Sequence, residues 1–194
     1  MPSLDPLLKD LVSGDETRAE NAAIQLGQMG GSVLPALGAL LKSSDPDHRW
    51  WAVRTLAQMS DVNCDYFIEA LKDVSAEVRQ AAALALAAHP FGQAAPVLVQ
   101  ALSDEDAMLQ TLAANALSAI GRPVVPILLD AFPGSPLSVK IHIMRVLAEL
   151  RDPRAIPVMM EAMQAGSAIL QRWCEIGLQQ LGLDMVYLKM VSSQ

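Results

Sequence analysis

Leucine recurs at Leu26, Leu56, Leu86, Leu117, Leu147 and Leu178, in steps of 30, 30, 31, 30 and 31 residues. A fixed period constrains the fold more than any local feature, because a unit of about 30 residues cannot bury its own apolar face and must stack on copies of itself. Other features keep the step. Proline opens a helical stretch at Pro35, Pro96, Pro126 and Pro157, with Asp65 standing where the second of the series falls. Proline suits a first helical turn, since the amide hydrogen it lacks has no intrahelical partner there. A helix-capping residue follows within each unit at Asp15, Asp45, Ser75, Asp106, Ser135 and Ser167, each with a side-chain oxygen that can accept from exposed amides.

Each unit therefore predicts an apolar helix A, a capped turn and an alanine-rich helix B. The chain is 52% hydrophobic but only 4% aromatic, so alanine and leucine fill the core, and both favour helix. The expectation is an all-α, right-handed α-solenoid of about six helix pairs over residues 1–183. Residues 184–194 read as a C-terminal capping helix, with Met185, Leu188 and Val191 three apart.

Helix B carries a pattern. In the third unit it runs Val78-Arg79-Gln80-Ala81-Ala82-Ala83-Leu84-Ala85-Leu86-Ala87, and the fourth follows with Leu109-Gln110, Ala113-Ala114, Ala116-Leu117 and Ile120-Gly121. This closely resembles the HEAT-like repeat of the phycobilisome-lyase type, over nearly the whole chain. The resemblance implies an armadillo-type helical stack and a ladder of acidic and basic side chains between repeats. The motif arginine stands at Arg49 and Arg79, is Lys140 in the fifth unit and Gln110 and Gln171 in the fourth and sixth, and Arg18 lies one residue early in the first. The ladder is thus only partly available. Relatives of this type serve as bilin lyase subunits or as adaptors, so the resemblance implies a tetrapyrrole as one alternative ligand and fixes no activity.

No catalytic, cofactor or metal site emerges. Some enzymes of similar architecture hold two irons through repeated His-Glu pairs, but the three histidines here precede Arg49, Pro90 and Ile143. Cys64 and Cys174 lie three units apart with no metal-ligand spacing, and read as packing thiols. No glycine-rich phosphate loop is present, and Gly30-Gly31 reads as a linker. The net charge of −7 opposes binding to nucleic acid or an anionic membrane surface. The first ten residues carry Asp5, Lys9 and Asp10 rather than a secretory signal, and no apolar run approaches the ~20 residues that span a bilayer. The expected location is cytoplasmic.

A helical wheel on the motif arginine position puts its preceding residue and those three, four and seven later on the core side. The residues one, two and five later then face outward, on the side expected to be concave. They are Glu20, Asn21 and Ile24; Trp50, Trp51 and Arg54; Gln80, Ala81 and Leu84; Thr111, Leu112 and Asn115; Ile141, His142 and Arg145; and Arg172, Trp173 and Ile176. All three tryptophans fall in this set, with apolar residues and arginines beside them, a composition that marks binding surfaces. The function read from this is a non-enzymatic adaptor whose protein partner docks on Trp50, Trp51, Arg54, Leu84, Leu112, Asn115, Ile141, His142, Arg145, Arg172, Trp173 and Ile176. A bilin lyase or chaperone-like subunit is the alternative. A DNA-repair solenoid is a third reading, supported by Arg54, Arg145 and Arg172 and opposed by the acidity.

Overall fold

The structure, a computed structural model, describes residues 3–183; the expected capping helix at 184–194 lies outside the described residues. Twelve helices and no strand are found among those residues. They alternate as A and B helices of six pairs: α1 (Leu4–Leu11) with α2 (Glu16–Gln28), α3 (Leu34–Leu40) with α4 (Pro46–Leu56), α5 (Asp65–Ala70) with α6 (Ala76–Ala88), α7 (Ala95–Ala101) with α8 (Ala107–Ile120), α9 (Val125–Ala131) with α10 (Leu137–Leu150), and α11 (Ile156–Ala162) with α12 (Ala168–Gln180). The chain divides into two compact units, Met1–Ala94 and Ala95–Gln194, each holding three pairs. No single helix among the described residues is long and apolar enough to cross a membrane; α8 and the segment after it meet that length together but bend by 111°.

The boundaries follow the sequence signals with two exceptions. Pro35, Pro126 and Pro157 sit in the first turn of α3, α9 and α11, and Asp15, Asp45, Asp106 and Ser167 accept the backbone amides of Arg18, Asp47, Met108 and Leu170. Ser75 caps by position alone: its hydroxyl donates to Glu77 instead. Ser135 is not a cap. Pro136 takes that place before α10, and the Ser135 hydroxyl donates back to the carbonyl of Ala131.

Within each unit the B helices pack side by side, α2 on α4 on α6 and α8 on α10 on α12. Small residues allow it: Ala52, Ala82, Ala83, Ala113 and Ala114 are fully buried on the seams, where interaxial distances of 8–10 Å depend on short side chains. Two glycines admit the tightest approaches: a Cβ on Gly27 of α2 would stand 2.6 Å from the Cβ of Gln58, and one on Gly177 of α12 would stand 2.6 Å from the Cε of Met159 and 3.2 Å from the Cα of Ala148.

The motif position carries a second device. Arg49 donates to the carbonyls of Ser43 and Ser44, Arg79 to those of Asp73 and Val74, Gln110 to that of Asp104 and Gln171 to that of Met163. Each thereby satisfies carbonyls in the turn between helices A and B. Glutamine keeps this bond and gives up only the charge. Arg49 also reaches the next pair, its Nε and Nη2 donating to Asp73 at 2.7 and 2.8 Å with the two side chains 11% and 13% exposed. In α10 Lys140 instead lies over the Phe132 ring, 5.3 Å from its centroid.

Replacing Gly27 by alanine is expected to cost about 1–3 kcal/mol through overpacking against Gln58, outweighing alanine's better helix propensity. Gly38 of α3 has open space where a Cβ would sit, so Gly38→Ala is expected to gain up to about 1 kcal/mol; urea denaturation of the two variants measures both. The hydrogen bonds from Arg49 hold the Asp73 carboxyl below its ordinary range, against the opposing effect of burial. A carboxyl with a depressed native pKa stabilises fully above about pH 4 and loses that contribution as the pH falls further. Arg49→Ala is therefore expected to cost about 3–5 kcal/mol at neutral pH, and the gap between wild type and variant to narrow on acidification; denaturation curves at neutral pH and near pH 3 check both.

Candidate functional site

The core side of the wheel is buried as drawn: Val78, Ala82, Ala83 and Leu86 in α6 and Val139, Ile143, Met144 and Leu147 in α10 are at most 2% exposed. On the outer side all positions but one remain half-buried or exposed. The exception is Trp51, 9% exposed. Its ring meets Trp50 edge to face, with centroids 4.8 Å apart, and α4 lies between α2 and α6. An indole at a seam position is large enough to be covered by its neighbours, whereas Ala81 at the same place in α6 stays half-buried. Trp51 is therefore a packing residue rather than part of an open surface.

In the first unit the remaining outer residues form a tied group. Arg54 donates to both carboxylate oxygens of Glu20, at 2.7 and 2.8 Å, and lies over the Trp50 ring 5.1 Å from its centroid. The guanidinium thus spans from α4 to α2, its charge matched by Glu20. Leu84 stands 52% exposed and Ile24 41%. Around the start of α4 a shallow pocket of about 430 Å³ is lined by Trp50, Trp51, Glu16, Asp47, His48 and Glu77. The carboxylates at the starts of α2, α4 and α6 have an ordinary reason to be there, since a helix N-terminus favours negative charge. A larger cavity of about 1060 Å³ runs along α3 and α5 beside Leu34, Pro35, Gly38 and Tyr66, with Lys42 and Lys72 also lining it. It lies on the A helices, where the sequence pattern placed nothing.

In the second unit Arg145 does what Arg54 does in the first. Its guanidinium donates to Glu149 at 3.0 Å, to Asn115 Oδ1 at 3.0 Å and to the carbonyl of Thr111, tying α10 to α8. Burial, followed by the charge of Arg145, lowers the pKa of His142. Arg172 differs. Its side chain is 71% exposed, with Glu175 3.8 Å away. Leu112, Ile141, Trp173 and Ile176 are half-buried and Asn115 is exposed.

Three residues absent from the wheel complete this surface. Met108, Leu137 and Ile169 are 56%, 51% and 59% exposed in the first turns of α8, α10 and α12. Each lies four residues before an outer apolar residue, giving the pairs Met108 and Leu112, Leu137 and Ile141, and Ile169 and Trp173 on three adjacent helices. Residues four apart share a helix face. The corresponding first turns of the first unit hold Thr17, Asp47 and Glu77. That contrast between repeats was the available signal.

Neither thiol is arranged as a nucleophile. Cys64 donates to Gln93 Oε1 at 3.0 Å, and burial raises both thiol pKa values, that of Cys174 to about 11. Among the described residues no three histidine, cysteine or carboxylate side chains gather as a metal site would require.

The family model of HEAT repeats matches residues 4–73 and 64–136, and that of the PBS lyase HEAT-like repeat matches 139–165. No curated protein sequence matches the chain. Among solved structures, an archaeal HEAT-like repeats protein from Thermococcus onnurineus NA1 is similar with a TM-score of 0.66 at 16% identity, over 95% of this chain and 82% of that one. The complex of CpcE and CpcF of phycocyanin lyase from Nostoc sp. PCC7120 gives 0.55 at 21% identity, over 94% and 78%. A designed armadillo repeat protein in complex with the peptide (KR)4 gives 0.53 at 17% identity, over 93% and 100%. These likenesses establish the helical-repeat fold.

Proposed function

The chain belongs to the HEAT-repeat family, and from that premise we propose that it is a protein-interaction scaffold whose second unit docks an amphipathic helical segment of a partner on α8, α10 and α12. One observation carries the reading. Met108, Leu137 and Ile169 are more than half exposed on three helices that pack side by side, and half-buried Leu112, Ile141 and Trp173 lie one turn further along the same helices, the α10 pair one residue earlier in its repeat than the other two. Contiguous apolar surface of this kind is rare on a monomer without a partner. Exposed Arg172 at the edge favours a carboxylate on the docking segment, and an indole beside an arginine is a frequent centre of binding energy. The armadillo-type structure that holds a peptide is in keeping with this use of the fold.

The tetrapyrrole alternative draws on the phycobilisome-lyase type repeat at 139–165 and on Arg172 beside Trp173. Two of its three arginines already have carboxylate partners, Arg54 with Glu20 and Arg145 with Glu149, which weakens their pull on an acidic pigment. Addition of a bilin is expected to leave its visible absorbance unchanged; a saturable shift abolished by Trp173→Ala would favour the pigment over a protein partner.

For the docking face, Leu137→Glu with Ile169→Glu is expected to lose one defined partner in affinity capture from native extract by at least tenfold. Leu84→Glu in the first unit is expected to retain it, with all variants first shown equally helical by circular dichroism. Retention by the double variant would move the site off this face, toward the cavity along α3 and α5.

A further inference from the structure

Three of the B helices end at a glycine in the left-handed region, Gly30 after α2, Gly121 after α8 and Gly182 after α12, with φ of 63°, 86° and 81°. Where α10 ends, a positive φ falls instead on Arg151, in the left-handed helical conformation with φ 49° and ψ 47°. It is the one positive-φ residue other than glycine among the described residues. A side chain there is disfavoured relative to glycine, and a backbone outlier of this kind is a reason to ask what the side chain does.

Arg151 is linked through backbone carbonyls to Arg122, and Arg122 in turn to Arg154. The Nε of Arg151 donates to Gln180 Oε1 at 3.0 Å, its carbonyl accepts from Arg122 Nη2 at 3.4 Å, and the carbonyl of Arg122 accepts from Arg154 Nη2 at 3.3 Å. Arg122 and Arg151 follow the C-termini of α8 and α10, where a helix dipole favours a cation. That explanation does not extend to Arg154, which stands in the short turn opening α11, an end that favours anions. Among the described residues the one carboxylate bonded to these arginines is Asp152. It is 5% exposed and is gripped by Nε and Nη2 of Arg154 and by the backbone amide of the same residue. Those bonds hold its pKa down to about 2. Asp152, which also feels the charge of Arg122, is thus one carboxylate against three linked arginines, leaving two positive charges unmatched on this edge of a chain whose net charge is −7.

A guanidinium has five N–H donors. The bonds above engage one of Arg122, one of Arg151 and three of Arg154, so most of the donors of Arg122 and Arg151 remain for solvent or a ligand. Arginine's planar fork matches the oxygens of a phosphoryl group, and several arginines around one dianion are the usual way such a group is held. We propose that Arg122, Arg151 and Arg154 form a binding site for a phosphoryl group, borne by a phosphorylated segment or by free phosphate. The site lies at the opposite ends of the B helices from Met108, Leu137 and Ile169, and it stands whether or not that face docks a partner.

Arg151→Gly is the discriminating variant, because it removes the guanidinium while relieving the backbone. The full chain is titrated calorimetrically at low ionic strength with inorganic phosphate, with a short phosphoserine peptide and with its unphosphorylated form. Saturable binding of a phosphorylated probe, weakened at least tenfold in Arg151→Gly and in Arg122→Gln while thermal stability is kept, is the expected result. Tighter binding of the phosphopeptide than of phosphate identifies a phosphorylated segment as the source, and the reverse identifies free phosphate. The inference is overturned if neither phosphorylated probe saturates at millimolar concentration, or if Arg151→Gly binds as wild type does. It is also overturned if the unphosphorylated peptide binds equally well.

Discussion

A donor on helix B reaching back to a carbonyl of the turn that joins it to its own helix A is the contact that four of the six pairs share. Without it the two helices of a pair meet through a turn whose carbonyls are unsatisfied, and the angle between them is set by a few short residues alone. Arginine and glutamine both make the bond, because an amide and a guanidinium each present an N–H at the end of a flexible stem. Arginine has donors left over, which is how Arg49 extends from its own turn to Asp73 of the next pair. The alternation of acidic and basic side chains expected from the repeat pattern is thus an addition to a neutral bond that survives where glutamine replaces the arginine.

The same economy governs the outer face. Arg54 and Arg145, read from sequence as ligand-binding groups, each reach to the preceding B helix. Glu20 and Arg54 lie 34 residues apart, and Thr111 and Arg145 lie 34 apart as well. One repeat plus one helical turn makes such a pair adjacent, so a search at that offset would have found both ties. Buried small residues draw the B helices close, and the long charged side chains then cross the narrow seams between them.

Much of this was legible in the chain. The leucine period, the prolines and most of the caps place the helix pairs, because repetition averages out the error in any one boundary. What escaped was particular. Pro136 displaced Ser135 as the residue before α10, a contest between two good starters that spacing does not decide. Trp51 was placed on the open side by angle, but burial depends on the reach of a side chain as well as its direction. Met108, Leu137 and Ile169 were passed over because first-turn residues lie outside a wheel drawn on the middle of a helix. Only the change from Asp47 and Glu77 to Met108 and Ile169 between repeats reveals them.

The tryptophans divide unevenly between the two units, and this gives the chain an optical property. Trp50 and Trp51 sit edge to face in the first unit at 4.8 Å and 85°, close enough for their excited states to couple, while Trp173 stands in the second with no indole partner among the described residues. The coupled pair contributes an exciton signal to circular dichroism and the lone indole ordinary emission. Each half of the array therefore carries its own native chromophore, and whether melting spreads through the repeats or stops between them can be followed by light without a label.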